Sequence, residues 1–157
     1  MNRWAMLLAA SFLGLAACQT TGGEGLPKAV NRSIDDLAIK PETRITVIYV
    51  GAWDCKYCTQ WKAAAGRDWK TMPEFEQVHY REVETITFKD TAYLQAWPDD
   101  LKWIVTSNAA YVKDTAPRFL ILVDGVVVTN ATGIGRWDNE VVPKVRALLK
   151  RRNGSAA

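Results

Sequence analysis

Cys55-Lys56-Tyr57-Cys58 sets two thiols three positions apart, and the chain's remaining cysteine, Cys18, lies far upstream. Thiols at this spacing serve as half of a metal site, close a short structural disulfide, or cycle between dithiol and disulfide. Structural zinc takes about four ligands, and the other candidates are His79 and Cys18. Copper delivery needs a further His or Met ligand in a suitable place. A structural bridge over so short a loop removes less chain entropy than one over a longer loop. Thiol exchange asks for something simpler: one sulfur ionised and accessible, and its neighbour within reach on the same helical face.

The surrounding elements bear on this choice. Ile45-Thr-Val-Ile-Tyr-Val50 is β-branched and aromatic, has charge before it and Gly51 after it, and predicts a buried strand. A helix is expected from Cys55 to Lys70, with Cys58, Trp61, Ala65 and Trp69 along one face and Gly66 as a weak point. Cys55 then sits at a helix N-terminus, where free N–H groups and the macrodipole favour a thiolate. Cys55 is therefore the expected nucleophile and Cys58 the resolving thiol.

Further along, Gln77 to Val83 reads as a weaker strand. Residues Asp90 to Val112 read as helical, interrupted at Pro98, with Leu94 and Trp97 before the break and Leu101, Ile104 and Val105 after it. Arg118 to Val123 and Val126 to Asn130 are strands joined by Asp124-Gly125, a dipeptide suited to a two-residue hairpin. A last amphipathic helix is expected from Asp138 or Asn139 through Leu149, starting late because of Pro143. Ile34, Leu37 and Ala38 suggest a helical turn or two before Pro41. A βαβ unit followed by a ββα unit makes an α/β fold with a mixed sheet of about four strands.

With Thr115-Ala116-Pro117 directly before the strand at Arg118, the chain resembles the thioredoxin family, whose cis-proline loop faces the redox pair. The resemblance covers about residues 40 to 152 and includes Gly133 after the hairpin. It implies a thioredoxin-like fold, a thiol–disulfide oxidoreductase, and no cofactor beyond the Cys55–Cys58 disulfide. It also implies a substrate surface formed by Trp53, Lys56, Tyr57, Ala116 and Pro117. The sequence departs from that pattern at Tyr49, where many thioredoxins carry a buried acid, and at Asp54, where they carry Trp. Lys56-Tyr57 is neither the Gly-Pro pair of cytoplasmic thioredoxins nor the Pro-His pair of strongly oxidising periplasmic enzymes. The long segment before the cis-proline loop is available to shape partner choice.

The amino end begins with a basic stretch and the apolar run Ala5 to Ala17, shorter than the roughly 20 residues a spanning helix needs, which suits an export signal. Leu15-Ala16-Ala17-Cys18 resembles the lipobox of bacterial lipoproteins. That resemblance implies a signal peptide over 1–17, a lipidated Cys18 with a flexible tether over 18–30, and a folded domain over 31–153. Gln19, in place of Asp, points by the same family rule to the outer membrane, facing the periplasm of a Gram-negative envelope. Acyl chains on Cys18 would be the membrane contact.

Of the 157 residues, 48% are hydrophobic and 24% charged, with a net charge of +3, which describes one globular domain and excludes a strongly basic nucleic-acid binder. The basic cluster Lys144, Arg146, Lys150, Arg151 and Arg152 fits the end of the final helix. Trp97, Trp103 and Trp137 are expected to pack, His79 to be structural, and Asp99 and Asp100 to sit in a first helical turn. Together these features point to a monomeric, membrane-tethered oxidoreductase that reduces periplasmic protein disulfides, supplied by an upstream redox partner. The alternatives are a disulfide oxidase or isomerase, and a non-enzymatic lipoprotein that binds a partner.

Overall fold

The computed structural model describes residues 33–107 and 116–154. The proposed leader, Cys18 and tether lie outside the described residues, as do Thr115 and the end of the 90–112 segment. Four strands form one sheet: β1 (Ile45–Ala52), β2 (His79–Thr85), β3 (Arg118–Val123) and β4 (Val126–Thr132), in the order β2-β1-β3-β4. β1 runs parallel to β2 and antiparallel to β3, and β3 pairs antiparallel with β4. The thioredoxin-like fold is stated by this order and by the helix that crosses between β1 and β2.

Every residue of β1 is buried, because the strand is central and both of its faces are covered. One face carries Val47, Tyr49, Phe119 and Ile121 into a core with Cys58, Trp61, Trp69, Trp137, Val145 and Leu148. The other carries Ile48, Val50, Leu120 and Leu122 against Trp97, Leu101 and Ile104. The period-2 alternation of a strand thus divides one apolar run between two cores. Asp124 and Gly125 both have positive φ, as the tight hairpin between β3 and β4 demands.

Three expectations are corrected. The helix expected over 55–70 is two helices, α1 (Lys56–Ala63) and α2 (Ala65–Trp69), broken at Ala64. The break lets Gly66 lie against the Trp61 ring, where a Cβ would come within 2.8 Å of a ring carbon. The segment from Asp90 is largely a string of 3-10 turns, Phe88–Ala92, Leu94–Ala96 and Asp99–Leu101, and only α3 (Lys102–Ser107) is α-helical. Extended backbone at Tyr93, Trp97 and Pro98 interrupts it, so the apolar spacing there reflects packing of separate turns. The final helix begins earlier than Asp138, with α4 (Ile134–Arg136), a π-type turn over Trp137–Val141, and then α5 (Val142–Gly154). The wide turn falls directly before Pro143, whose ring and missing N–H disfavour a regular α-turn there. Strand lengths differ less: β1 extends to Ala52, β2 is shifted to 79–85, and β4 extends to Thr132.

His79 lies at the start of β2, with its Nδ1 2.9 Å from an Arg44 guanidinium nitrogen. Burial is the main cause holding its pKa below the ordinary imidazole value; Arg44 and Arg81 add to this, and Asp100 opposes it. The unfolded chain therefore binds the proton more readily, so this contribution to stability is complete above the unfolded pKa and is lost as pH falls from there through the lower folded pKa. His79→Gln is expected to lose less stability than the parent chain between about pH 7.5 and 5. Denaturant midpoints across that range check it, and parallel pH profiles would contradict it.

Candidate functional site: a disulfide at the mouth of a cleft

The loop after β1 is short and tightly bonded. Cys55 N–H donates to the Ala52 carbonyl at 3.3 Å, and the chain turns at once into α1. Cys55 is the N-cap of that helix, and its Sγ accepts from Cys58 N–H at 3.2 Å. The cap position places the sulfur among the free N–H groups of the first turn. Cys55 and Cys58 are joined as a disulfide, with their Cα atoms 5.2 Å apart.

The two sulfurs are not equivalent. Cys58 is fully buried on the core-facing side of α1, whereas Cys55 lines an open cleft of about 550 Å³. Asp54, Lys56 and Tyr57 form its wall on the redox loop, Phe88 forms another, and Ala116, Thr132 and Gly133 complete it. The Ala116–Pro117 peptide bond is cis, Pro117 is buried, and its carbonyl accepts from Gly133 N–H at 2.8 Å. Gly133 has φ 92°, a value that suits glycine, and so the β4 backbone turns into α4 beside the cleft.

Of the expected substrate surface, Lys56, Tyr57 and Ala116 line this cleft. Pro117, which is buried, and Trp53 stand outside the lining. Trp53 is 71% exposed, and its ring lies 5.1 Å from the Lys62 ammonium, which in turn donates to Glu84 at 2.7 Å. Four lining residues lie outside the expected site: Asp54, known only as an unusual neighbour of Cys55, Gly133, known only as part of the resemblance, and Phe88 and Thr132. Nothing periodic marks Phe88, which follows a strand end and opens a 3-10 turn.

Tyr49 is buried on the same side of the sheet as Cys58, stacked on Trp61 at 4.5 Å between ring centroids. Burial first, then Glu84 and Glu82, pushes its phenol pKa well above the usual range, so it stays neutral. Gly51 makes room for it: a Cβ there would lie 2.1 Å from the Tyr49 hydroxyl. The buried polar and charged residues among those described include no carboxylate. A second hollow, about 220 Å³, lies between Trp61, Gly66 and the Lys70–Glu82 ion pair and contains neither cysteine. Among the described residues no group of three or more His, Cys, Asp or Glu is placed to hold a metal ion, and no helix is long and apolar enough to cross a membrane.

No protein-family model and no curated protein matches the chain. Solved structures similar to it include thioredoxins. The periplasmic thioredoxin SoxS of Paracoccus pantotrophus is 14% identical, with 73% of this chain and 100% of that one covered and a TM-score of 0.45. Spinach chloroplast thioredoxin f is 17% identical, over 69% of this chain and 79% of that one, with a TM-score of 0.44. Thioredoxin of Fasciola hepatica is 15% identical, over 66% and 80%, with a TM-score of 0.42. The fold class stands on the strand order and crossover themselves.

Proposed function

We propose that this protein is a thiol–disulfide oxidoreductase, tethered to a membrane through lipid on Cys18 and acting in the reducing direction on protein disulfides in the periplasm. One observation carries the chemistry: a disulfide at a helix N-terminus with one sulfur opening into a cleft and its partner sealed in the core. In the dithiol state the Cys55 thiolate attacks one sulfur of a substrate disulfide, forming a mixed disulfide and releasing the other substrate sulfur as a thiolate. Cys58 then attacks Cys55, releases the second substrate thiol, and leaves the Cys55–Cys58 disulfide. Two electrons and two protons pass to the substrate, and a dithiol partner restores the pair. With neutral Tyr49 in the strand below, no buried carboxylate among the described residues takes the Cys58 proton. That proton passes to the departing substrate thiolate or to water.

Lys56, Tyr57, Ala116 and Pro117 are assigned to the substrate surface, and Trp53 to its outer rim. Tethering rests on the lipobox resemblance at Cys18, and the reducing direction on the thioredoxin-like frame around the pair. Cys58→Ala should stall the reaction at its first step, so that the variant accumulates in cells as mixed disulfides with its substrates. Non-reducing electrophoresis should show adducts that dithiothreitol removes and that Cys55→Ser in the same chain prevents. Adducts that survive the second substitution would overturn the assignment of Cys55.

A further inference from the structure

The cleft beside Cys55 has one wall that comes from a distant part of the chain and is fastened to the redox loop by a side chain. The ladder between β1 and β2 continues past both strands, with Trp53 N–H donating to Thr85 O at 3.0 Å and Asp54 N–H to Ile86 O at 3.3 Å. The chain then turns, and Phe88 N–H donates to Asp54 Oδ1 at 2.7 Å. The Phe88 carbonyl accepts from the Thr91 hydroxyl at 2.8 Å, and the Thr91 carbonyl accepts from Trp97 Nε1 at 2.8 Å. Trp97 is itself buried in the core on the far side of the sheet. Phe88 is thus held through its N–H by the redox loop and through its carbonyl by a chain ending in the core.

Asp54 is an odd choice next to a cysteine that must ionise, because a carboxylate there disfavours the thiolate. Its hydrogen bond supplies the compensating role: it fixes the backbone of an aromatic residue that lines the cleft. Phe88 lines the cleft with Tyr57, which is 61% exposed. Large apolar side chains left wet next to a reactive sulfur gain free energy when a partner covers them.

We propose that Phe88, positioned by the Asp54 carboxylate, determines specificity by selecting protein segments that carry an apolar side chain beside the reacting cysteine. Asp54 is a positioning residue: it acts through Phe88. The occupant is an extended segment of a substrate protein, its sulfur at Cys55 and its neighbouring side chain against the Phe88 ring. This rests on the oxidoreductase assignment and adds to it the class of substrate.

The full chain would be assayed with two peptide disulfides that differ only in Leu or Ser next to the cysteine. The quantity read is the ratio of their kcat/KM values, which does not depend on the folded fraction of a sample. The parent chain is expected to favour the Leu peptide on the order of tenfold, the scale of a contact in a partly open apolar pocket. Phe88→Ala and Asp54→Ala should both bring the ratio close to one. Asp54→Asn should keep it, since the amide oxygen still accepts the Phe88 N–H while the charge is gone. Rates of Cys55 alkylation against pH should shift in both Asp54 variants, because both lose the charge.

A parent ratio near one would overturn the proposal, and so would Asp54→Asn behaving like Asp54→Ala in the ratio. Exchange with both peptides that depends on Cys55 but ignores the Leu/Ser difference would leave the oxidoreductase assignment standing while removing the role of Phe88. No exchange with either peptide would remove both.

Discussion

With Cys55 replaced by Ser, the chain is expected to reduce an insulin-type disulfide no faster than dithiothreitol does alone. A serine hydroxyl is not ionised near neutral pH and does not enter a disulfide, so the first covalent step has no nucleophile. Cys58 does not stand in for it, because it is wholly buried on the core-facing side of α1 while Cys55 alone of the pair faces the cleft. The burial difference therefore makes the loss complete. The turbidity of the released insulin chain, followed with and without protein, measures the effect. An unchanged rate in Cys55→Ser would refute the proposed chemistry, and a partial rate would show that Cys58 becomes accessible during turnover.

Trp61→Ala is expected to cost about 3–5 kcal/mol of folding stability, the usual range for removing a buried large aromatic. Trp61 is 2% exposed and stacks on Tyr49; its ring centroid lies 5.0 Å from Phe119 and 5.1 Å from Trp137. Its ring also fills the space that Gly66 leaves open. Its Nε1 is buried with no hydrogen-bond partner, so the loss comes from packing and apolar burial. A domain of this size has about 5–15 kcal/mol in total, which makes the change a large fraction of the whole. Urea or guanidinium titration at fixed pH reads it. Because α1 carries Cys58 on the same buried face, the reduced variant should also expose Cys58 to alkylation. A loss under about 1 kcal/mol would show that the aromatic cluster repacks around the gap.

Much of the site could be read from local order in the chain. Cys55 at a strand-to-helix junction, Cys58 three residues on, and Pro117 before an apolar strand are short-range patterns, and each lies at the expected element boundary. The hairpin at Asp124-Gly125 was equally legible, since both residues tolerate the positive φ the turn needs. Helical periodicity misled where separate turns bury side chains at similar spacing. Leu94, Trp97 and Leu101 look like one face of a helix, yet Leu94 and Leu101 belong to separate 3-10 turns and Trp97 is one of the extended residues between them. Pro98 was visible as a break, but the extended backbone at Tyr93 was not. The late start assigned to the last helix failed for a related reason: Pro143 limits one turn without preventing helical turns before it.

The amino-acid order by itself determined the strands, the redox pair at the head of a helix, and the proline that follows Ala116 before β3, because these depend on neighbours within a few residues. Tertiary structure alone decided that Cys58 is sealed while Cys55 is open, that Tyr49 stays neutral on the side of the sheet that buries Cys58, and that Phe88 joins the cleft. Burial and the Asp54–Phe88 hydrogen bond, 34 residues apart in sequence, exist only once β1 and β2 are paired and the segment after β2 folds back along the redox loop.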